Sequence, residues 1–195
     1  LRDACRSFLG QDHPSFEIVA VNDRSTDGSE RLLEEWAGDP RLIRLTVDKL
    51  PDGWLGKTHA LQKGFERSRG RWLLFTDADV HLEPEAVRLA VAEAERSGAD
   101  HLTVFPRVVL ANDVENVFYR AFAALFTLRF RPWASGMRRI PGFAGVGAFN
   151  LVRREAYIRT GEHRTLAMEV ADDLFLAKRI KDAGLRLRAV SGDEL

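Results

Sequence analysis

Runs of apolar residues alternate with helical patterns from residue 16 to residue 105 of this 195-residue chain. The extended runs cover 16–21, 42–47, 71–75 and 101–105, and the amphipathic segments between them cover 29–36, 57–69 and 84–97. Strands that alternate with helices of this length are typical of βαβ units, whose strands pair in parallel. The pattern therefore predicts an α/β fold with a mostly parallel central sheet flanked by helices.

The second half of the chain is less regular. Short strands are expected at 151–152 and 185–190, with a helix over 171–183 that ends at Gly184. Earlier in the chain, Pro84 is expected at a first helical position, and Gly70 and Gly98 are expected to end helices. His59 is expected on the surface of the helix over 57–69. These boundaries complete the predicted order of elements.

An aromatic stripe lies between the two regular parts. Phe118, Phe122 and Phe126 recur at four-residue steps, which places them on one face of a helix. Such a stripe is typical of a helix that faces a core. Basic residues follow it at 129, 131, 138 and 139, and an aromatic face beside basic residues also fits a helix at an anionic membrane. We expect a core-facing helix, with membrane or lipid-acceptor contact as the alternative.

Composition excludes several classes of protein. Lys plus Arg equals Asp plus Glu, at 29 each, so net charge favours no nucleic-acid partner. Cys5 is the single cysteine, which excludes an internal disulfide and a cysteine zinc site. No run approaches the roughly 18 apolar residues of a membrane-spanning helix. The chain opens within an amphipathic pattern and without Met, so we expect it to be part of a longer polypeptide.

Two aspartates follow the apolar run 71–75, in the sequence Thr76-Asp77-Ala78-Asp79. Because side chains alternate along a strand, Asp77 and Asp79 point the same way where the strand ends. Two carboxylates about 7 Å apart repel by roughly 2 kcal/mol at an effective dielectric near 20. A bound Mg²⁺ or Mn²⁺ would replace this repulsion with attraction to both carboxylates. Most of the coordination shell of the ion would stay open for substrate phosphates. A solvated pair in a turn explains the same residues.

Three further segments place polar side chains at the ends of elements. Helix capping does not explain Asp23, which follows the first strand and suits a base or ribose. Lys57 begins a helix after a glycine-flanked Trp, which suits a phosphate, although a solvated lysine fits equally. Asp172 and Asp173 begin the helix over 171–183, where the helix dipole favours them. A carboxylate there can also act as a general base.

A glycine-rich stretch covers residues 141–149, with glycines at 142, 145 and 147. This density predicts either a close approach of the backbone to a substrate or a strained turn.

The motifs occur in one order along the chain: Val-Asn-Asp-Arg-Ser-Thr-Asp-Gly at 21–28, Gly-Lys-Thr-His-Ala-Leu at 56–61, Thr-Asp-Ala-Asp at 76–79 and Ala-Asp-Asp-Leu at 171–174. Together they resemble the inverting family-2 glycosyltransferases, which have the Rossmann-like glycosyltransferase-A fold. The resemblance covers about residues 1–190. The stretch Gly-Trp-Leu-Gly-Lys at 53–57 is similar to the membrane-associated branch, which includes ceramide glucosyltransferases and hopanoid- or carotenoid-associated transferases.

The resemblance implies metal-dependent, inverting transfer of a sugar from a nucleotide diphosphate sugar, with a UDP-sugar as the family-level expectation. It implies that Asp23 contacts the nucleotide base and that Lys57 lies near the nucleotide or diphosphate. Asp79 would bind Mg²⁺ or Mn²⁺, and Asp77 would bind the ribose or the metal.

Asp172 and Asp173 resemble the Glu-Asp pair of this family, with Asp in place of Glu. By this resemblance Asp173 is the general base, and Asp172 is the second member of the catalytic pair.

The resemblance also implies one catalytic domain over 1–195, with a nucleotide-sugar-binding half at 1–107 and an acceptor-side half at 108–195. The acceptor would be a lipid or polyprenyl compound, and the parent protein would lie at the cytoplasmic face of a membrane, held through segments outside this chain. The family's first strand and its later Q-x-x-R-W or R-x-x-R-W segment are not found here. We therefore expect a catalytic domain truncated at both ends.

Two other functions stay open. A sugar nucleotidyltransferase can also use an α/β sheet and an aspartate-bound metal, but it should carry a glycine-rich phosphate-binding loop near its start. A non-catalytic nucleotide-sugar-binding domain would bind the donor without transferring or hydrolysing it.

Overall fold

The computed structural model describes residues 1–137 and 140–194. Within these residues the strands are β1 (Ile18–Asp23), β2 (Leu42–Val47), β3 (Trp72–Phe75), β4 (His101–Phe105), β5 (Asn150–Arg153) and β6 (Leu187–Ser191). The α-helices are α1 (Arg2–Leu9), α2 (Ser29–Glu34), α3 (Gly56–Arg67), α4 (Ala86–Ser97), α5 (Asp113–Phe130), α6 (Arg154–Arg159) and α7 (Asp172–Asp182). Short 3₁₀ turns cover Pro132–Ala134, His163–Leu166 and Gly192–Glu194.

The α/β class is confirmed, and the strands form two sheets. β1 pairs in parallel with β2, and the second sheet has the order β3-β5-β4-β6. β4 and β6 are parallel, whereas β5 is antiparallel to both β3 and β4. After β4 the chain builds α5 beside the carboxyl end of that strand, where Phe126 contacts Phe105. Because β5 starts from this same end, it runs back against its neighbours.

A cavity of about 850 Å³ separates the two sheets. It is lined by all but the last residue of β1, by the whole of β3 and by apolar residues of α1, α3 and α4. In the described residues β1 pairs only with β2, and β3 pairs only with β5. One edge of each of these two strands is therefore unpaired next to the cavity.

The core lies on the two faces of the four-stranded sheet. One cluster joins this sheet to α6 and α7, and it includes Leu73, Val152, Tyr157, Leu176 and Ile180. The other joins the sheet to α4, and it includes Ala90, Ala94, Leu102, Val104 and Leu151. Each fully buried aliphatic or aromatic side chain contributes about 1.5–3 kcal/mol. β3 and α7, at whose ends Asp77, Asp172 and Asp173 lie, are therefore held by the first of these two apolar clusters.

Glycines end two of the predicted helices as expected. Gly98 caps α4 with a φ of 63°, and Gly184 follows α7 with a φ of 75°. The expectation for Gly70 is wrong, because α3 ends earlier, at a C-cap Ser68 whose hydroxyl donates to a carbonyl in the last turn. The expectation for Pro84 is also wrong, since α4 begins two residues later.

The expectation that the aromatic stripe faces the core is wrong for most of α5. Every residue of this helix is at least partly exposed, and Phe118 and Phe122 are 72% and 63% exposed. Phe126 packs against Phe105, with ring centroids 6.2 Å apart. Among the described residues, no helix is both long enough and apolar enough to cross a bilayer.

We predict that His101 makes the fold sensitive to acid. Its imidazole is fully buried on β4, and its Nε2–H donates to Asn150 Oδ1. Burial lowers the pKa of His101 to about 4, from 6.5. Below pH 6.5 the unfolded chain therefore binds a proton that the folded chain does not, and the free energy of unfolding falls as pH falls. Between pH 6.5 and pH 4 this loss should reach about 3 kcal/mol.

Urea unfolding at pH 7 and at pH 4.5, for the wild type and for His101→Gln, tests this prediction. The variant should lose less stability than the wild type between these two pH values. Equal losses in the two proteins would show that another group carries the acid sensitivity.

Candidate active site

Four of the predicted site residues line one narrow cleft at the carboxyl end of β3. Lys57 is near the start of α3, Asp77 follows β3, and Asp172 and Asp173 begin α7. These elements are far apart in the sequence, and the sheet brings their ends together. The residues that line the cleft are Lys57, Leu61, Phe75, Thr76, Asp77, Gly147, Asn150, Asp172 and Asp173.

Lys57 joins two of the carboxylates. Its Nζ lies 3.0 Å from Asp77 Oδ1 and 3.6 Å from Asp172 Oδ1. Burial acts to lower the pKa of Lys57, but the negative charges of Asp172, Asp77 and Asp173 outweigh it, so that this pKa is raised. Lys57 therefore stays cationic, and it places a fixed positive charge inside the cleft.

A buried chain of hydrogen bonds orients Asp172. The Tyr157 hydroxyl accepts a bond from the His163 backbone N–H at 3.0 Å, and Tyr157 Oη lies 2.5 Å from His163 Nδ1. When the Tyr157 hydroxyl donates a hydrogen bond to His163 Nδ1, the imidazole carries its own proton on Nε2. This Nε2–H then donates to Asp172 Oδ2, at 3.3 Å. Asp172 is 3% exposed, and within the described residues its Oδ1 has no hydrogen-bond partner. His163 therefore holds one carboxylate oxygen of Asp172, and the other oxygen faces Lys57 in the cleft.

His163 and Tyr157 are functional candidates that the sequence did not reveal. His163 lies in a short 3₁₀ turn and Tyr157 on α6, and both are buried. A single histidine nine residues before Asp172 forms no recognisable motif, so no sequence signal identifies it.

Asp173 has the environment of a carboxylate that can accept a proton. Burial raises its pKa, and the charge of Asp172 raises it further. A hydrogen bond from the Leu174 backbone N–H at 2.7 Å and the charge of Lys57 oppose this shift without cancelling it. A carboxylate that is more basic than an ordinary aspartate suits general-base catalysis near neutral pH.

The glycine-rich stretch 141–149 closes one side of the cleft. A Cβ on Gly145 would lie 2.0 Å from the Asp173 carbonyl oxygen, and one on Gly147 would lie 2.7 Å from Asp77 Oδ2. The Asp77 backbone N–H donates to the Gly147 carbonyl at 3.1 Å. Neither glycine has a positive φ, so the strained-turn alternative is wrong here. The backbone of this stretch closely approaches the acidic residues Asp77 and Asp173, and its approach to a substrate stays a prediction.

The loop before α3 fixes the position of Lys57. The Thr58 hydroxyl lies 2.7 Å from the Ala167 carbonyl, to which it donates, and the Leu55 backbone N–H donates to the same carbonyl. His59 is 5% exposed and meets the Trp54 ring edge-on, with centroids 5.5 Å apart. The expectation that His59 lies on the helix surface is wrong, because Trp54 folds back over the first turn of α3.

Asp23 and Asp79 lie outside the set of residues that line the cleft. Asp23 ends β1 and accepts hydrogen bonds from Arg24 at 2.8 Å and 3.0 Å. A Cβ on Gly56 would lie 2.6 Å from Asp23 Oδ2, so Asp23 borders the residue just before Lys57. Asp79 is exposed two residues beyond Asp77. Contact of Asp23 and of Asp79 with a ligand therefore stays a prediction.

The acidic residues can supply only a minority of the ligands of a metal ion, so water or a bound ligand would have to supply the others. Among the described residues, no group of three His, Cys, Asp or Glu side chains could hold a metal ion alone. Lys57 engages Asp77 Oδ1, which leaves Asp77 Oδ2 and the exposed Asp79 carboxylate as donors. Two carboxylates with an otherwise open shell suit Mg²⁺ or Mn²⁺ that also binds water and phosphate oxygens. The residues therefore fit a hard cation that binds together with a ligand.

Comparisons with known proteins identify the family and the fold of this chain. The family model described as Glycosyl transferase family 2 matches residues 1–161. The probable glycosyltransferase YdaM of Bacillus subtilis (strain 168) is 27% identical over 202 residues, which cover 96% of this chain and 45% of YdaM. This chain thus spans less than half the length of that relative.

Two solved structures show the same fold. Staphylococcus aureus TarS 1–349 in complex with UDP-GlcNAc matches with a TM-score of 0.60 and 17% identity, over 96% of this chain and 51% of that one. Glucosyl-3-phosphoglycerate synthase from Mycobacterium tuberculosis, in complex with Mn²⁺, UDP-glucose and phosphoglyceric acid, matches with a TM-score of 0.52 and 18% identity, over 97% of this chain and 64% of that one. Since the family model covers most of its length, this chain belongs to glycosyl transferase family 2 and has the glycosyltransferase-A fold.

Proposed function

We propose that residues 1–195 form the catalytic domain of a metal-dependent, inverting glycosyltransferase that uses a nucleotide diphosphate sugar, with a UDP-sugar as the first candidate. The cleft carries this proposal, because it holds Asp173, with its raised pKa, beside the network of Lys57, Asp77 and Asp172. The UDP-GlcNAc and UDP-glucose complexes of the two structural relatives support the choice of donor.

The donor binds to the half formed by residues 1–107, with Asp23 at the base and Asp77 at the ribose or the metal. Asp79 and Asp77 would hold the divalent cation, which would supply Lewis-acid stabilisation of the departing diphosphate. Lys57 adds a fixed positive charge that favours the same developing negative charge. The ion pairs with Asp77 and Asp172 hold this charge in place before the donor arrives.

The acceptor binds to the half formed by residues 108–195. Asp173 takes the proton of the acceptor hydroxyl while the hydroxyl oxygen forms its bond to the anomeric carbon. The bond from that carbon to the diphosphate oxygen breaks, and its electron pair leaves with the diphosphate. A single displacement of this kind inverts the anomeric centre and needs no protein nucleophile. Burial and the charge of Asp172 raise the pKa of Asp173, which increases the affinity of its carboxylate for the proton.

We propose a lipid or polyprenyl acceptor, and a parent protein at the cytoplasmic face of a membrane. The apolar, largely exposed helix α5 supports this, because its inner face contacts the loop that touches Asp173. The resemblance to the membrane-associated branch of the family points the same way.

Asp79→Ala should remove metal-dependent binding of the donor. In a thermal-shift measurement, Mn²⁺ should increase the stabilisation of the wild type by UDP, and the variant should lose this increase. The expected loss of UDP affinity in Mn²⁺ is at least about tenfold, or 1.4 kcal/mol. Asp182→Ala is the matched control, because Asp182 is an exposed aspartate at the end of α7 opposite to Asp172 and Asp173. An unchanged effect of Mn²⁺ on UDP binding by Asp79→Ala would remove Asp79 from the proposed site.

A further inference from the structure

Helix α5 presents an apolar face to the outside of the protein. At about 100° per residue, five of its apolar positions fall within an arc of roughly 100°. These five side chains are 65–72% exposed: Val114, Val117, Phe118, Leu125 and Leu128. The opposite side of the helix holds Phe126 and Phe130, which pack against Phe105 and Phe143. The helix therefore turns its smaller apolar surface inward and its larger one outward.

The exposed apolar residues continue beyond both ends of the helix. Val109 precedes α5 and is 93% exposed, and Trp133 follows it and is 59% exposed. We call these two residues and the five on the helix face the α5 surface. Single exposed apolar residues are ordinary, but a set of this size along one segment marks an interaction site.

Charge along this segment is strongly biased. Residues 107–140 contain six arginines and two acidic residues, a net charge of +4, although the whole chain is neutral. Two of the six, Arg138 and Arg139, lie outside the described residues. On the helical wheel, Arg120 and Arg129 lie on opposite sides of the apolar face. The segment thus combines an apolar face with positive charge along its borders.

We propose that the α5 surface binds the anionic interface of a lipid bilayer, with the helix parallel to the membrane plane. Apolar side chains would enter the boundary between headgroups and acyl chains, and arginines would contact acidic headgroups. Trp133 suits the same boundary, where tryptophan is enriched. A second copy of the chain fits less well, because pairing two such segments would bring a charge of +4 against another +4.

This surface is close to the proposed general base. The Phe143 backbone N–H donates to the Phe130 carbonyl at 3.0 Å, which ties the end of α5 to the stretch 141–149. Gly145 of that stretch touches the Asp173 backbone. If the proposed function holds, a lipid acceptor in the membrane would therefore reach Asp173 from the side of α5. Binding to the membrane itself does not depend on that function.

Co-sedimentation with lipid vesicles tests the proposal. The protein should bind vesicles of equimolar phosphatidylcholine and phosphatidylglycerol, and its affinity for phosphatidylcholine alone should be at least about tenfold lower. The double variant Phe118→Gln/Leu125→Gln should bind the mixed vesicles at least about tenfold more weakly. Ile158→Gln is the control, because Ile158 is a 50% exposed apolar residue on α6 and should leave binding unchanged.

Reversing the charge of two arginines tests the electrostatic part of the proposal separately. Arg120→Glu/Arg129→Glu should lose binding to the mixed vesicles, while Arg31→Glu, an exposed change on α2, should keep it. Wild-type affinity for these vesicles should also fall as salt increases. Circular dichroism checks that each variant is folded.

Absence of wild-type binding to the mixed vesicles, or equal binding by Phe118→Gln/Leu125→Gln, would overturn the proposal. A concentration-dependent dimer in sedimentation velocity that this variant abolishes would assign the surface to a second copy instead. UDP binding in solution separates the two proposals. If the donor site is wrong, UDP binding fails and vesicle binding persists, whereas the reverse pattern rejects only the α5 surface.

Discussion

Asp173→Asn should reduce glycosyl transfer by about 10²- to 10⁴-fold while UDP binding stays within about twofold of the wild type. Asparagine has nearly the same shape as aspartate, so the cleft should keep its structure, but the amide cannot take the proton of the acceptor hydroxyl. Release of UDP from a UDP-sugar measures turnover, and calorimetry measures UDP affinity. Asp182→Asn, an exposed change at the other end of α7, should leave both unchanged.

The pH dependence of the same reaction gives a second view of this residue. Because burial raises the pKa of Asp173, the acidic limb of the kcat/KM profile should lie above the ordinary range of an aspartate. Activity should fall as pH falls through this pKa, since protonation removes the base. Near-normal turnover by Asp173→Asn would exclude the general-base role. Release of pyrophosphate from a nucleoside triphosphate would favour a sugar nucleotidyltransferase.

Gly145→Ala should disturb both stability and turnover. The added methyl group would lie 2.0 Å from the Asp173 carbonyl oxygen and 2.4 Å from the Asp173 carbonyl carbon, so backbone must move. Overpacking of this kind costs about 1–3 kcal/mol of unfolding free energy. A shift of about 1 Å in Asp173 would reduce turnover by about 10²-fold. Urea unfolding and a turnover assay on the same preparation measure the two effects.

Gly38→Ala is the matched control for this change. Gly38 has no heavy atom within 4 Å of its added Cβ, and its φ is not positive. This variant should match the wild type in both measurements. If Gly145→Ala also matches the wild type, the stretch 141–149 does not hold Asp173 in position.

The sequence could predict the part of the site that depends on regular elements. The bounds of β2 and β4 follow directly from their apolar runs, and Lys57, Asp77, Asp172 and Asp173 all lie at the ends of predicted elements. In α/β sheets, ligands bind beyond the carboxyl ends of strands, which predicts one crevice for Asp23, Asp77 and Asp79. Of these three, Asp77 alone lines the cleft, together with Lys57, Asp172 and Asp173.

Features that depend on packing could not be predicted in the same way. Periodicity identifies an apolar face on α5, but it does not say whether that face meets a core or the outside, and Phe118 is exposed. Strand direction depends on where a long connection ends, so the sequence predicts a strand at 151–152 but not its antiparallel direction. The contact of His163 with Asp172 depends on a 3₁₀ turn and carries no sequence pattern.

A crystal structure of the protein with UDP and Mn²⁺ is the most direct measurement of how the acidic residues cooperate. We expect the diphosphate between Lys57 and Asp79, Mn²⁺ ligated by Asp79 and diphosphate oxygens, and Asp173 facing open space on the acceptor side. The uracil should lie near Asp23. Nucleotide bound away from the cleft, or an Asp79 carboxylate turned away from bound UDP, would contradict the proposed glycosyl-transfer site.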